Sequence, residues 1–302
     1  MQRVIVIGGA NVDIKGRARG SYAAGTSNPG EVTVSAGGVG RNIAENLSRL
    51  GLDVSLISAM GNDANGQTLR QACAAAGVDF SLAITPAAPT GSYLAVLDDT
   101  GELVSAINDM RAMDALMPKH LAMCAAELAQ AAMIVADCNL SEACLTWLCG
   151  FSADTGVRLL IEPVSIAKSR KLLAFARPSP VFAITPNTQQ LEALVGADEG
   201  AIARLHALGF ANVILHRGSA GARAFDGVRM RDIAPVQASA IADVTGAGDA
   251  AVAGLVCGLL DGMSLAEAAR LGQCAAAIKL SSVQSVASGL SRDSLFRLAG
   301  IT

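Results

Sequence analysis

The sequence has few charged residues and no concentration of charge of one sign. Only 16% of its 302 residues are charged, against roughly 25% in typical globular proteins, while 52% are hydrophobic. This composition excludes an intrinsically disordered chain and a collagen-like one. The 26 acidic and 23 basic residues are spread without blocks and leave a formal net charge of −3. The sequence therefore predicts no binding surface for nucleic acid or for an anionic membrane.

Long hydrophobic runs and paired cysteines are also missing. The longest apolar stretch of interest covers residues 250–260, much shorter than the roughly 20 residues that a bilayer-spanning helix needs. The N-terminal apolar run ends at Gly8 and Gly9 without the longer apolar region and cleavage site of a signal peptide, so we expect a cytoplasmic protein. The seven cysteines form no Cys-x-x-Cys pair and have no histidine at ligand spacing, which favours buried, reduced thiols over a metal site.

Short β-rich runs alternate with helical patterns along the chain. The clearest helical pattern covers residues 41–50, and Gly51 supplies its stop. Near-continuous apolar strands separated by helices are typical of a parallel sheet that is covered on both faces. We therefore predict a doubly wound α/β fold, as one domain over residues 1–302, with strands at 4–7, 54–59, 133–136, 157–161, 181–185 and 213–216.

Two stretches interrupt this alternation. Residues 14–36 are rich in glycine and end in a segment of period 2, and residues 91–109 have the pattern of a β-hairpin with its turn at 98–101. Both alternate as half-exposed strands do. We expect them to form a small β-sheet that is inserted in the α/β core and stands off it as a lid.

The sharpest local signal is Asp-Val-Thr-Gly-Ala-Gly-Asp at 243–249, directly before the apolar stretch 250–260. Small residues ahead of a helix expose backbone N–H groups that can hold an anion such as phosphate, and the helix dipole adds positive potential there. Asp249 falls in the first turn of that helix, where its carboxylate can accept a proton from an attacking hydroxyl. The alternative is a glycine-rich turn that Asp249 caps, which leaves the second acid, Asp243, unexplained.

Two further glycine-rich segments carry polar side chains. At 37–42 the order Gly-Gly-Val-Gly-Arg-Asn opens a helix, and the Asn42 amide can hold a pair of hydroxyls. Residues 8–13 follow the first strand, where open α/β sheets bind ligands. Asp13 suits a sugar hydroxyl better than a phosphate, because two anions repel each other. Neither segment has the spacing of a dinucleotide site or of a P-loop.

Together these segments resemble the ribokinase (PfkB) family of carbohydrate and nucleoside kinases. The resemblance spans the chain in order, with Gly-x-x-Asn-x-Asp at 8–13, Gly-Gly-x-Gly-x-Asn at 37–42, Ile-Thr-Pro-Asn at 184–187 and Asp-x-Thr-Gly-Ala-Gly-Asp at 243–249. Within the family, four segments look most like those of pseudouridine kinases, namely 27–31, 37–44, 91–98 and 162–168.

The resemblance implies transfer of the γ-phosphoryl group of ATP to a ribose 5′-hydroxyl, with pseudouridine as the expected substrate and Asp249 as the base. A kinase for ribose, adenosine or another nucleoside is one alternative, and a nucleoside-binding sensor without catalysis is another. The anion hole would be formed by Gly246, Ala247 and Gly248. The substrate contacts would be Asn11, Asp13, Gly37, Gly38, Asn42 and Tyr93.

ATP and Mg²⁺ are the cofactors that the resemblance implies, with K⁺ as a candidate monovalent cation at Asp243. The family's Asn-x-x-Glu segment, whose glutamate orders Mg²⁺-bound water, reads Asn-Thr-Gln-Gln at 187–190 in this chain. Either Glu192 replaces that glutamate by a small shift, or Gln190 holds water as a neutral ligand. The ATP contacts would be Asn187, Gly218, Gly221, Thr245, Gly246 and Gly248.

The 91–109 hairpin also bears on assembly. Tyr93 and Leu97 alternate with Leu94 and Val96, so apolar side chains occupy both faces of the hairpin. One face can cover the substrate, and the other needs a partner. Because relatives in the family often cross their lids in a two-fold dimer, we expect a homodimer with Leu94 or Val96 at the contact.

Lys279 has two interpretations. In the helical segment 275–280 it could reach a nucleotide, but the interpretation we prefer is a lysine whose charged end extends to solvent.

Overall fold

A computed structural model describes residues 2–174 and 181–301, which form two β-sheets and their covering helices. The strands are β1 (Arg3–Ile7), β2 (Asn11–Ala18), β3 (Gly30–Gly37), β4 (Asp53–Ile57), β5 (Gly91–Leu97), β6 (Leu103–Asp109), β7 (Met133–Asp137), β8 (Leu159–Glu162), β9 (Val181–Ile184), β10 (Phe210–His216), β11 (Ala222–Phe225) and β12 (Met230–Ile233). The helices are α1 (Val39–Arg49), α2 (Ala64–Ala75), α3 (Arg111–Asp114), α4 (Pro118–Met123), α5 (Ala125–Ala129), α6 (Glu142–Thr155), α7 (Ile166–Ser169), α8 (Thr188–Val195), α9 (Ala201–Ala207), α10 (Ala247–Leu260), α11 (Leu265–Leu280) and α12 (Arg292–Ala299).

The large sheet has the strand order β12-β11-β10-β9-β8-β7-β1-β4. Strands β4 to β10 in this order are parallel, which confirms the predicted doubly wound α/β fold, and each strand predicted for the core is present. The antiparallel strands β11 and β12 extend one edge. Sequence analysis did not predict these two short edge strands, because a half-exposed edge lacks the continuous apolar run of a central strand.

Helices cover both faces of this sheet, and the side chains of β1 show why. Val4 and Val6 are buried on the face that carries α1, α2, α10, α11 and α12. Ile5 and Ile7 are buried on the opposite face, beneath helices that include α6, α8 and α9. Because successive strand residues point to opposite faces, an unbroken apolar strand requires a core on each side. Among the described residues no disulfide joins the cysteines, and all but Cys124 are buried, in agreement with the prediction of reduced thiols.

The small sheet has the order β3-β2-β5-β6, with β2 and β5 parallel and the outer pairs antiparallel. It includes the predicted hairpin at 91–109, and the two strands from the 14–36 segment extend beyond that segment, to Asn11 at one end and to Gly37 at the other. Strand β2 starts at Asn11, so Asn11 and Asp13 belong to this sheet rather than to a loop after β1. The cause is the full register between β2 and β3, which pairs Asn11 with Gly37.

Helices α10 and α11 approach closely through small residues. A Cβ built on Gly272 would lie 2.6 Å from the carbonyl oxygen of Ala251, and one on Gly254 would lie 2.8 Å from that of Leu271. The two helices therefore pack backbone against backbone, which fixes the position of the first turn of α10. No helix in the part of the chain that the structure describes is long and apolar enough to cross a membrane.

This contact predicts that Gly272→Ala lowers the free energy of unfolding by about 1–3 kcal/mol, because the added methyl group forces the helices apart. The matched control is Gly150→Ala in α6, where a Cβ would meet no atom within 4 Å. That change should stabilise the protein by about 0.5–1 kcal/mol, because alanine is the better helix former. Urea unfolding of both variants measures the difference, and equal effects would contradict close packing at Gly272.

Candidate active site

The carboxyl ends of the central strands and the inner face of the small sheet enclose a cleft of about 1130 Å³. Parallel strands end at one edge of a sheet, and ligands of doubly wound folds bind outside that edge. The small sheet contributes Tyr93 and Asn108 as well as β2 side chains. Many of the residues predicted for the site line this cleft, namely Asn11, Asp13, Gly38, Asn42, Tyr93, Asp243, Thr245, Gly246 and Asp249.

Asp249 lies in the first turn of α10 at the bottom of the cleft and is only 8% exposed. Its Oδ2 accepts a hydrogen bond of 2.7 Å from Asn42 Nδ2, at the start of α1. Burial raises the pKa of Asp249 to about 7, and the nearby charge of Asp137 contributes, whereas the Asn42 hydrogen bond lowers it. A carboxylate with a pKa near neutrality is suited to accept a proton at physiological pH.

Arg41 holds Asn42 in this position. The buried Arg41 guanidinium donates to Asn42 Oδ1 and, at 2.9 Å, to the carbonyl oxygen of Gly37. It also forms an ion pair with Glu45 one turn later in α1. Sequence analysis did not assign Arg41 a role. The i, i+4 spacing of Arg41 and Glu45 on a helix with no other acidic neighbour in its first turn is the signal that could have indicated it.

Asp13 is the second buried carboxylate of the cleft. Asn11 Nδ2 donates to Asp13 Oδ1 at 2.6 Å, and burial raises the pKa of Asp13. Gly37 makes room for this carboxylate, because a Cβ at that position would lie 2.4 Å from Asp13 Oδ2. Gly38 lets α1 begin against the β1 edge, since a Cβ there would lie 2.5 Å from the carbonyl oxygen of Gly9. The glycine pair therefore places Asp13 and Asn42 beside each other.

Residues 243–248, which we call the anion loop, lead into α10. Gly246 has a φ of 84°, and a Cβ on it would lie 2.1 Å from the carbonyl oxygen of Ser285, so only glycine fits. Ala247 is the first residue of the helix, and a Cβ on Gly248 would meet nothing within 4 Å. The first N–H groups of a long helix have no intrahelical acceptor, so this end can hold an anion.

Sequence analysis missed two acidic residues, which are the last residues of β7 and β8. Asp137 ends β7 and its Oδ2 accepts a 2.9 Å hydrogen bond from the N–H of Gly9. Glu162 ends β8 and accepts a hydrogen bond from the Thr185 hydroxyl. Burial raises the pKa of Asp137, and it raises that of Glu162 to about 8. An acidic residue that directly ends an apolar strand is the signal that could have found both.

The predicted ATP contacts outside the anion loop lie elsewhere. Among the described residues that line the cleft, Asn187, Gly218 and Gly221 are not found. Asn187 caps α8, and its amide oxygen accepts from the N–H of Gln190 at 2.9 Å. Gly218 and Gly221 shape the turn between β10 and β11, where a Cβ on Gly221 would lie 2.2 Å from the carbonyl oxygen of Ile233. In the structure Asn187 therefore caps a helix, and the two glycines allow a tight turn.

Gln190 and Glu192 lie on different sides of α8. Gln190 is buried, and its Oε1 accepts from the N–H of Asn187 at 2.8 Å, which completes the cap of α8. Glu192 is exposed. Residues two apart on an α-helix point about 200° apart, so the two side chains leave α8 on different sides. The replacement of the family glutamate by Glu192 stays a prediction.

Lys15 and Lys279 approach Asp243 from two directions. Lys15 Nζ, on β2, lies 3.3 Å from Asp243 Oδ2, and Lys279 Nζ donates to the Asp243 carbonyl oxygen at 2.7 Å. Lys279 is fully buried, so its preferred interpretation as a lysine that extends to solvent is wrong. Its ammonium group is bound instead by the carbonyl oxygens of Asp243 and Ser282.

Comparison with known proteins identifies the family. The profile of the family described as pfkB family carbohydrate kinase matches residues 1–291. The chain belongs to this family. Like the other pfkB carbohydrate kinases, it is a phosphotransferase with an alcohol group as acceptor.

Individual relatives of this pfkB-family kinase agree with the assignment. The chain is 38% identical to the pseudouridine kinase of Escherichia coli (strain K12), over 92% of this chain and 90% of that protein. A carbohydrate kinase from Agrobacterium tumefaciens has a similar structure, with a TM-score of 0.88 and 32% identity over 100% of this chain and 98% of that one. The Arabidopsis thaliana ribokinase complexed with ribose and ATP has the same fold, with a TM-score of 0.86 and 21% identity over 100% and 99% of the two chains.

The raised pKa of Asp249 predicts the pH dependence of phosphotransfer by this kinase. A base must be ionised, so kcat/KM should fall by about tenfold per pH unit below about pH 7, as the Asp249 carboxylate becomes protonated. Because the Asn42 hydrogen bond lowers this pKa, Asn42→Ala should move the acid limb to higher pH. A pH profile of kcat/KM for both proteins measures this, and a limb that lies near pH 4 or does not move would contradict it.

Proposed function

We propose that this kinase transfers the γ-phosphoryl group of ATP to the 5′-hydroxyl of a ribonucleoside, and that the nucleoside is pseudouridine. The observation that carries the proposal is the Asp249 carboxylate, buried at the N-terminus of α10 and hydrogen-bonded to Asn42. The neighbouring Asp13 supports a ribose beside it. The similarity to the pseudouridine kinase of Escherichia coli supports the choice of nucleoside.

In the proposed reaction the ribose lies between the small sheet and α1. Asp13 and Asn11 accept and donate hydrogen bonds to the ribose hydroxyls, and Asn42 contacts them from the opposite side. Asp249 then accepts the proton of the 5′-hydroxyl while that oxygen attacks the γ-phosphorus, and the bond between the γ-phosphorus and the bridging oxygen breaks so that ADP leaves. Arg41 contributes by positioning, because it fixes the rotamer of Asn42, which in turn fixes Asp249.

The anion loop stabilises the charge of the transferred group. Its backbone N–H groups at Gly246 and Gly248 lie at the N-terminal side of α10, where negative charge is favoured, whereas the N–H of Ala247 donates to the carbonyl oxygen of Val244 at 3.2 Å. Phosphoryl transfer needs mainly positioning and charge stabilisation, so fixed backbone donors suit it. The ATP phosphates would extend from here past Thr245 toward Asn187, Gly218 and Gly221. The small sheet acts as a lid that excludes water.

Kinases of this fold use ATP, with which Mg²⁺ is generally associated. The part of the chain that the structure describes contains no group of three or more His, Cys, Asp or Glu side chains that could hold a metal ion. Mg²⁺ in kinase sites takes only one or two carboxylates together with phosphate oxygens and water, so this fits. Asp137 and Glu162 would hold it, since each is a buried carboxylate with a raised pKa, and no ion pair joins either of them to a cationic side chain among the described residues. Bound Mg²⁺ would neutralise charge on the phosphates.

The lining of the cleft favours a nucleoside over a free sugar. Beyond the groups assigned to ribose, it includes Asn108, Asn139 and Lys168. Lys168 Nζ donates to Asn139 Oδ1, so the two side chains form one polar unit. Amide and ammonium groups of this kind can hydrogen-bond the carbonyl and imino groups of a pyrimidine. Ribose alone would leave the remaining donors and acceptors of these side chains without a substrate partner, which costs binding energy.

One observation favours the alternative of a sensor without catalysis. Gln190 replaces the family glutamate, and its side chain is used in capping α8. Against this stands Asp249, since a sensor needs no buried carboxylate with a pKa near 7 beside an anion loop. A kinase for ribose or adenosine remains the second candidate within the enzymes.

An ADP-release assay across pseudouridine, uridine, adenosine and ribose tests the function. We expect the highest kcat/KM for pseudouridine and a lower value for any 2′-deoxynucleoside, by about 1–3 kcal/mol for the lost hydroxyl partner. Asp249→Asn should reduce kcat by about 10²–10⁴ with little change in nucleoside affinity, because the amide keeps the shape but accepts no proton. The control is Asp293→Asn, an exposed carboxylate on α12.

Each result has a distinct meaning. A higher kcat/KM for ribose or adenosine would contradict the choice of pseudouridine as the substrate but not the kinase activity. An Asp249→Asn rate within about threefold of the parent would exclude Asp249 as the base. Nucleoside binding without any ADP release would favour the sensor.

The outer face of the small sheet supports a homodimer formed through the lids. The register places Val34, Ile14, Leu94 and Ile107 in one row across all four strands, on the face opposite to Asp13 and Tyr93. Val34 is 59% exposed and Ile107 is 65% exposed. Apolar side chains in a continuous row on an open sheet are typical of an interaction site, and a second copy presents the same row.

Leu94→Asp should therefore convert the dimer to a monomer and raise KM for the nucleoside, because the lid loses its support. The matched control is Leu298→Asp on α12, which has the same 41% exposure as Leu94. Sedimentation velocity at micromolar concentration, together with kinetics, measures both effects. A parent protein that is a monomer under these conditions, or a Leu298→Asp variant that dissociates equally, would contradict the dimer.

A further inference from the structure

Lys279 is a fully buried lysine with defined partners. It lies near the end of α11, and its Nζ donates to the carbonyl oxygen of Asp243 at 2.7 Å and to that of Ser282 at 3.0 Å. A buried ammonium group is costly unless polar groups compensate for the lost water. Here the compensation comes from backbone carbonyl oxygens of two separate segments. These are the ligands that proteins also use to hold K⁺.

The position of this ammonium group is tied to the anion loop. Asp243 begins the loop, and its neighbour Ala242 donates a backbone hydrogen bond to Leu280 at 2.8 Å. Three residues later, Gly246 packs against the carbonyl oxygen of Ser285. Lys279 therefore lies where the anion loop and the segment 280–285 meet, and it bridges their backbones. Loss of the Lys279 ammonium group would release the anion loop at Asp243, three residues before Gly246.

The charges around Asp243 oppose a further cation. Lys279 takes the Asp243 carbonyl oxygen, and Lys15 lies 3.3 Å from its Oδ2. A monovalent cation bound at Asp243 would have to share these oxygens with two ammonium groups and would be repelled by both. The residues present therefore do not fit the K⁺ site that the family resemblance implies at Asp243.

We propose that the Lys279 ammonium group takes the place of a monovalent cation, so that this kinase neither binds K⁺ at Asp243 nor needs it. Lys279 is a positioning residue, since it acts on the phosphoryl group through the backbone of the anion loop. The functional consequence rests on the proposed kinase activity, whereas the structural one, a loop held by an internal cation, does not.

A salt series on the unmodified protein tests the proposal first. Melting temperature and ADP-release rate are measured in KCl, NaCl and choline chloride at equal ionic strength. We expect equal melting temperatures and rates equal within about twofold, since a ligand that binds the folded state would stabilise it. A melting temperature raised by K⁺ over choline, with a rate that rises in parallel, would overturn the proposal.

Substitution of the lysine supplies the second test. Lys279→Met keeps the apolar stem and removes the charge, and Arg270→Met removes an exposed charge from the same helix as the control. We expect Lys279→Met to lower kcat by about tenfold or more with little change in KM for the nucleoside, and to lower the melting temperature. A Lys279→Met variant with the same kcat and the same melting temperature as Arg270→Met would overturn the positioning role.

The melting measurements keep this proposal separate from the proposed function. If no nucleoside or sugar is phosphorylated, the salt dependence of the melting temperature still decides whether K⁺ binds. If Lys279→Met does not fold, the salt series on the parent decides alone.

Discussion

The hydrogen bond from Asn42 Nδ2 to Asp249 Oδ2 joins the first turns of α1 and α10, and the rest of the site is arranged around it. The two residues are 207 positions apart in the sequence, so this bond holds the α1 side and the α10 side of the cleft in one geometry. Both helices begin at glycines that approach other backbone closely, Gly38 at Gly9 and Gly246 at Ser285. A larger residue at either glycine would displace a helix start and separate the pair.

Negative charge is concentrated where the carboxyl ends of β7 and β8, the start of α10 and the strand β2 of the small sheet come together. Asp13, Asp137, Glu162 and Asp249 are all buried there, and burial raises the pKa of each. Carboxylates without direct cationic partners destabilise a folded protein at neutral pH, because the charged form loses its water. Such carboxylates are found in active sites, because burial strengthens their attraction for a bound cation and shifts their pKa toward the value that proton transfer needs. The closely packed α10 and α11 supply compensating stability nearby.

Two lysines contact Asp243 at the start of the anion loop and offset its negative charge. Lys279 is bound to backbone carbonyls beneath the anion loop, whereas Lys15 reaches Asp243 from the small sheet. One ammonium group is therefore fixed within the core, and the other belongs to the sheet that covers the cleft. The contact of Lys15 with Asp243 also ties the small sheet to the anion loop.

The sequence by itself determined the doubly wound fold, the small inserted sheet and the residues that meet at the cleft. These depend on periodicity and on motifs of a few adjacent residues, which local chemistry fixes. The antiparallel edge strands, the acids Asp137 and Glu162, and the role of Arg41 were decided only by the tertiary structure. Lys279 shows the physical reason most directly. Its partner Asp243 is 36 residues away, so packing between distant segments decided where its ammonium group lies.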